Sequence, residues 1–333
     1  MMSKTTAAKQ VVINGPGIVS IERNPIPLVK PNEVLVKTSY SLLSNGTERT
    51  IFSGSYSRNS HWEQWIRYPF TPGYASVGTI VDIGPGVDKA YMGTRVALRA
   101  PHSTHHVRPI DRCVPIPDDI PMEDAVWFAF ARIALLGVWS ARLDSHAVAL
   151  VVGGGPIAQL ATRWLSVDGL KTIGLLAPAE LAHRAARGGG ASAILPGLSH
   201  DYTRSSILRA LSYPPDAILD CTADPSVLGW ALEVVSDYGK VILLGDPGAP
   251  EARTLNSAIL LKGISVIGTH DRLTYGRWSE GQAAGHFFKL LSESRFSVAA
   301  IYTREADIDD AASLYSWLLT NRRDQIGLRI RYS

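Results

Sequence analysis

Between Gln10 and about Ile116 the apolar positions come in short runs of β-forming residues broken by Gly and Pro: Gln10–Ile13, Glu33–Lys37, Ser76–Val81 and Thr94–Leu98. Runs of this length bounded by turn formers predict strands, and a succession of them predicts a compact, barrel-like β unit. Pro121 opens a stretch with helical patterning from Met122 to Arg142, after which buried-strand and helix patterns alternate. Apolar runs at 147–152, 172–176, 217–220 and 240–244, with a further one at 265–267, predict a parallel sheet covered by helices. Beyond His270, amphipathic helices are predicted around 281–292 and 308–319, then a last strand over 327–332. The predicted class is α/β: a β-rich domain from residues 1–122 and 271–333, and a doubly wound parallel-sheet domain from 123–270.

With 333 residues, 46% of them hydrophobic and 19% charged, the chain can bury two cores. The formal charge is +3, and its 33 Lys and Arg are scattered, which gives no electrostatic case for nucleic acid and favours a small-molecule partner. The two cysteines, Cys113 and Cys221, are too few for a disulfide framework and suit a reducing compartment. The opening Met1 to Gln10 lacks the apolar core of a signal peptide, and no run approaches the roughly 20 apolar residues of a membrane span. A cytoplasmic protein without a membrane partner is expected.

The strand Val148–Val152 runs straight into Gly153-Gly154-Gly155-Pro156-Ile157-Ala158, a G-x-G-x-x-A turn that opens a helix. Gly153 permits the tight turn, Gly155 lets backbone approach a pyrophosphate, and Ala158 lets helix and strand pack closely. Pro156 and Ile157 lie at the helix N-terminus that would face the phosphates. An acid about 20 residues beyond the loop commonly bonds the ribose 2′-OH of NAD, but the corresponding place is Ala177. NADP(H) is therefore expected in preference to NAD(H). His183 and Arg184 could reach a 2′-phosphate, or could simply be solvated charges of a surface helix.

Several further segments carry a family likeness: Pro72-Gly73-Tyr74-Ala75-Ser76-Val77-Gly78-Thr79-Ile80-Val81, Gly93-Thr94-Arg95-Val96, Asp220-Cys221-Thr222-Ala223, Gly239 to Gly245 and Lys262 to Thr269. In that order they resemble the medium-chain dehydrogenase/reductases over nearly the whole chain. Ser44-Asn45-Gly46-Thr47-Glu48-Arg49 is similar to the S-x-G-T-E-R of a zinc-poor branch that includes bacteriochlorophyllide dehydrogenases. The resemblance implies a GroES-like catalytic domain joined to a Rossmann domain, with Cys221, Thr222, Leu244 and Gly245 lining the cofactor. Zinc-bearing relatives hold a catalytic metal with a Cys before G-T-D and the His-Glu of G-H-E. Here those places read Asn45, Tyr74 and Ala75, and the four cysteines of a structural zinc lobe are missing, so no zinc is expected. His102, His105 and His106 cluster, as a metal site or as a domain-packing segment.

Without zinc, hydroxyls, an imidazole or backbone N–H groups must handle charge and proton beside the nicotinamide. The resemblance puts Thr47 at the proton-relay hydroxyl, against the alternative of a Thr bonded to its own turn. Tyr74 could donate its phenol to substrate or pack into the vacated space. Glu48 suits an ion pair with Arg49 or another base more than general-base duty, and His270 is a usable acid or a solvated loop residue. Phe52, Tyr56, Trp62, Trp65, Tyr68 and Phe70 could wall a pocket or pack a core. The activity expected is a zinc-independent carbonyl, alcohol or imine oxidoreductase acting on a medium-sized metabolite. An enoyl reductase and a non-catalytic NAD(P)-binding protein are the alternatives. The strand at 265–267 should end the sheet and offer an edge to a homodimer partner.

Overall fold

The computed structural model describes residues 7–273, 278–321 and 324–333. A hairpin of β1 (Ala7–Gly15) and β2 (Ile18–Pro25) precedes β3 (Glu33–Leu43), β4 (Ser76–Ile83), β5 (Arg95–Leu98), β6 (His105–Pro109) and β7 (Cys113–Pro115). The helices α1 (Asn45–Ser53) and α2 (His61–Trp65) fill the long connection between β3 and β4. Next come α3 (Met122–Ala125) and α4 (Phe128–Ala141), where the patterning predicts one helix. Trp127 N–H bonds back to Asp124 O, a tightened turn that redirects the chain and buries the Trp127 ring against Gly327.

The second half alternates strands and helices: β8 (Val148–Val152), α5 (Pro156–Val167), β9 (Thr172–Ala177), α6 (Glu180–Gly188), β10 (Ala193–Pro196), α7 (Arg204–Leu211), β11 (Ala217–Asp220), α8 (Ser226–Val234), β12 (Lys240–Leu243), α9 (Ala258–Leu261) and β13 (Ser265–Gly268). These strands form one parallel sheet in the order β10-β9-β8-β11-β12-β13. Strand order reverses between β8 and β11, so the turns leaving those two strands diverge and open a crevice at their C-terminal ends. The sheet's residues are apolar on both faces because helices cover both. The edge strand Ala193–Pro196 escaped the pattern because it is only four residues long and ends in a proline.

The chain ends with α10 (Glu280–Ser292), β14 (Tyr302–Asp307), α11 (Ala311–Thr320) and β15 (Gly327–Arg331). β15 pairs antiparallel with β3 and parallel with β14, which completes a seven-stranded sheet in the order β14-β15-β3-β4-β5-β7, with β6 also on β3. The α10 helix instead lies on the helices of the parallel sheet, with Phe287 and Phe296 against Trp164. Arg163 of α5 is buried there without a carboxylate, its guanidinium donating to the carbonyls of Ser297, Gln159 and Ala185. Among the described residues no helix is long and apolar enough to cross a membrane.

Candidate functional site

The turn after β8 has the shape that its glycines require. Gly153 sits at φ +117°, which a side chain would strain, while a Cβ on Gly154 would stand 2.7 Å from Ala182 Cβ and 3.2 Å from Ala177 Cβ. Gly154, overlooked in the sequence, is thus the close contact between this loop and β9–α6. At Gly155 a Cβ would meet no heavy atom within 4 Å, so backbone lies open on that side. α5 begins at Pro156 with no side-chain cap, leaving the first-turn N–H groups at Ile157 and Ala158 facing the crevice, and Ala158 itself is fully buried under the turn. This cradle fits a pyrophosphate.

β9 ends at Ala177, so no carboxylate stands where a ribose 2′-OH would lie. His183 cannot supply a phosphate contact: it is buried, its Nε2–H donates to Ala177 O at 2.7 Å, and Nδ1 lies 3.2 Å from Glu180. Arg184 is exposed on α6 and has no partner among the described residues. Across the crevice, Cys221 and Thr222 leave β11, and Leu244 and Gly245 leave β12. The Cys221 thiol is pushed well up by burial, which makes it no nucleophile.

The other wall is the first turn of α1. Thr47 lies in that helix and not in a loop; its half-buried hydroxyl makes no bond to the local turn and has no partner among the described residues. Asn45 donates through Nδ2 to Ile326 O at 2.8 Å, and its Oδ1 is buried without a partner. Tyr74 stacks on Phe130, with ring centroids 5.3 Å apart, and donates its hydroxyl to Ser44 Oγ at 2.9 Å; burial pushes the phenol up. Arg99 lies over the Tyr74 ring and reaches Asp271 at 2.7 Å and Glu280 at 2.8 Å, and Asp271 also pairs with Arg132. These ion pairs bring the segment of His270 to the Tyr74 side of the crevice. His270 is exposed there, its Nδ1 accepting from Arg272 N–H.

Beneath this wall Glu48 is buried to 1% exposure. Its partner is not Arg49, which donates to Leu318 O, but His102, whose Nε2 faces the two carboxylate oxygens at 3.2 and 3.1 Å. Ser44 N–H donates to Glu48 at 2.8 Å, and Tyr315 donates its hydroxyl to the other oxygen. His102 Nδ1 lies 2.7 Å from Ser41 Oγ, which in turn lies 2.7 Å from Tyr332 Oη. The His102 ring occupies the space beside Gly73, where a Cβ would come within 2.9 Å of it. The histidine cluster is therefore a packing segment: His105 turns to Thr104, and burial beside Arg108 drives His106 down to about 3.

Zinc does not fit this site. Asn45 is committed to a carbonyl, Tyr74 to Ser44, and Ala75 has no donor, so neither thiolate nor imidazole meets the vacated place. Among the described residues no three His, Cys, Asp or Glu side chains are grouped to hold a metal. The aromatic cluster also resolves mainly as packing. Phe52 and Trp62 are buried with Val11, Ile13 and Leu43, and Trp62 Nε1–H donates to Pro247 O at 3.0 Å, tying α2 to the loop after β12.

Residues 30–117 match the alcohol dehydrogenase GroES-like domain. An L-threonine 3-dehydrogenase of Caldanaerobacter subterraneus subsp. tengcongensis is 26% identical over 309 residues, covering 82% of this chain and 85% of that protein. An oxidoreductase/dehydrogenase of unknown specificity from Escherichia coli superimposes with a TM-score of 0.85 at 18% identity, covering 98% of this chain and 99% of that one. Acetophenone reductase from Geotrichum candidum, solved in complex with NAD, gives 0.80 at 18% identity, covering 99% and 98%. At these identities the structural likenesses establish the fold.

The network below α1 generates a stability prediction. Tyr315→Phe keeps the ring contact with Phe52 and removes one donor from the buried carboxylate, so unfolding free energy should fall by about 1.5–3 kcal/mol. Urea denaturation measures it, and an unchanged midpoint would show that Tyr315 contributes only its ring.

Proposed function

We propose that this chain is a medium-chain dehydrogenase/reductase, a reading supported by its GroES-like match and its similarity to L-threonine 3-dehydrogenase, and that it is a zinc-independent, NADP(H)-preferring enzyme moving a hydride between nicotinamide and a carbonyl, alcohol or imine of a medium-sized metabolite. Its similarity to the S-x-G-T-E-R branch favours a metabolite of a specialised pathway. The observation that carries the reading is the fate of the three ligand places: Asn45 bonded to Ile326 O, Tyr74 bonded to Ser44, and Ala75 buried in the core. The bound nicotinamide supplies or accepts the hydride at its C4. The chain must place the substrate carbon and meet the charge that develops on its oxygen or nitrogen.

Thr47 is the first choice for that contact, because its hydroxyl is uncommitted while the Tyr74 proton is already engaged. Tyr74 instead offers its oxygen lone pairs, and Arg99 above its ring adds positive charge near the place a metal would hold. NADP(H) preference rests on Ala177 at the end of β9 and the unpaired Arg184 on α6. Homodimer assembly belongs to the same reading: β13 is the last strand of its sheet, and Leu260 and Leu261 beside it are exposed.

Purified protein should contain no stoichiometric zinc and keep its activity in chelator, with kcat/KM higher for NADPH than for NADH on a panel of carbonyls, imines and enones. One zinc per chain would sink the metal-free reading, and an NADH advantage would sink the cofactor preference. Thr47→Val should cost about 2–4 kcal/mol of transition-state stabilisation, mostly in kcat, with the melting temperature held. Unchanged kcat with earlier melting would assign Thr47 to structure. Sedimentation should give twice the 36.1 kDa chain mass at micromolar concentration, and a monomer would refute the dimer.

A further inference from the structure

Asp220, the last residue of β11, is fully buried and level with Val152, the residue before the glycine turn. Its Oδ1 accepts the N–H of Thr222 at 2.9 Å and the Thr222 hydroxyl at 2.7 Å. Its main-chain carbonyl accepts the N–H groups of Leu244 and Gly245, at 2.9 and 2.8 Å. Arg253 completes the clasp, with Nη2 2.5 Å from Gly245 O and 3.6 Å from Asp220 Oδ2. The two turns so joined touch backbone to backbone, since a Cβ on Gly245 would stand 1.7 Å from Thr222 O. Thr222 in turn lies against Gly153, its Cγ2 being 3.3 Å from where a Cβ would stand. Asp220 therefore joins turns that border the crevice by two routes, its carboxylate holding Thr222 directly and the 244–245 turn through Arg253, and its main-chain carbonyl holding Leu244 and Gly245.

Such a group is expensive where it sits. Oδ2 and Arg253 Nε are both buried without a hydrogen-bond partner, and an uncharged side chain of similar size would spare the cost of desolvation. Burial pushes the acid up to about 6, against the opposing pull of Thr222 and Arg253. The charged or titratable groups around it are Arg253, Asp224 on the following turn, and the Cys221 thiol. With a folded value above the ordinary 3.8, the group's contribution to stability is fully present below about pH 4 and lost as pH rises through about 6. A residue that costs stability at neutral pH yet organises the cofactor side of the crevice points to a role in binding.

We propose that Asp220 is a positioning residue for the cofactor: held between Thr222 and Arg253, its carboxylate adds a side-chain clasp to the backbone bonds between the 221–222 and 244–245 turns, and dinucleotide affinity depends on that clasp. The proposal rests on the reading of the crevice as a dinucleotide site. Calorimetric titration with NADP+, which needs no turnover, compares the parent protein, Asp220→Asn, Arg253→Met and the loop control Gly155→Val. Both clasp variants should bind roughly tenfold or more weakly. The ratio of parent to Asp220→Asn affinity should shrink as pH falls from 7 to 5, when the parent's carboxylate takes up its proton. The melting temperature of Asp220→Asn relative to the parent should rise with pH between about 4 and 6, which reads the cost of the buried charge separately from binding. Equal affinity of Asp220→Asn and parent at every pH overturns the proposal while leaving the dinucleotide site standing. A parent that binds no NADP+, or Gly155→Val binding as tightly as the parent, overturns the dinucleotide reading and the proposal with it. Should Asp220→Asn fail to fold, Arg253→Met binding as tightly as the parent overturns the clasp, and its weakened binding supports it.

Discussion

A carboxylate shut inside a protein has to find donors there, because the water it leaves behind offered several. Glu48 finds them on four separate pieces of chain: its own helix start at Ser44, the segment of His102 after β5, Tyr315 of α11, and, through His102 and Ser41, Tyr332 at the end of the chain. None of these pieces could shift without stranding a buried oxygen. The first turn of α1 is pinned in this way, and with it everything that projects into the crevice. Asn45 and Thr47 ride on that turn, and Tyr74 is held by the hydroxyl of Ser44, whose N–H is already spent on Glu48. The return of the C-terminal segment to the first sheet, through β15 on β3, is what puts Tyr315 and Tyr332 within reach.

The two walls of the crevice are built by different means. The cofactor wall is mostly backbone: glycine turns, strand ends in one register, and an uncapped helix start, fixed by the parallel sheet and the Asp220 clasp. The substrate wall is mostly side chain, and a network of hydroxyls and ion pairs holds it. Among the contacts that cross from one to the other, two hold segments that leave the parallel sheet. Ser57 N–H meets Gly248 O at 2.8 Å beside the Trp62–Pro247 bond, and Arg99 with Arg132 clamps Asp271. The first crossing holds the loop after β12 and the second holds the segment after β13, so each wall limits how far the other can move.

This difference explains what could be read from the sequence. Backbone-built features leave local marks, and the apolar runs of the parallel sheet, the glycine turn and the missing acid at Ala177 all stand in the structure where the pattern put them. Side-chain networks join residues far apart in the chain. Glu48 and His102 are 54 positions apart and Glu48 and Tyr315 are 267 apart, so nothing local signalled that His102 belonged to Glu48 and not to a metal or the surface. The helix at 45–53 was hidden for a related reason: a Gly- and Ser-containing stretch reads as a turn until the buried face of Glu48, Ile51 and Phe52 is seen to pack. Asp220 did carry a local mark, since an acid two residues before a Thr at a strand end favours a side-chain to backbone turn. That mark shows the bond to Thr222 and is silent about Arg253.

What the vacated metal place contains bears on the chemistry available there. A zinc ion would bring positive charge, an oriented coordination site and a lowered pKa for whatever it bound. Of these, only the charge has a counterpart, in Arg99, whose guanidinium lies 5.3 Å from the centre of the Tyr74 ring. That charge is largely spent on Asp271 and Glu280, so the cluster has little field left to polarise a distant carbonyl. An oxygen of the substrate must then be met at hydrogen-bonding range, and among the described residues of the wall the Thr47 hydroxyl is uncommitted, while Asn45 Oδ1 is buried. That hydroxyl can donate one hydrogen bond. A carbonyl oxygen, an imine nitrogen or an alcohol oxygen each offers that hydroxyl a lone pair, and so does the carbonyl that activates a C=C bond, so what the wall asks of a substrate is an acceptor beside the carbon that exchanges hydride.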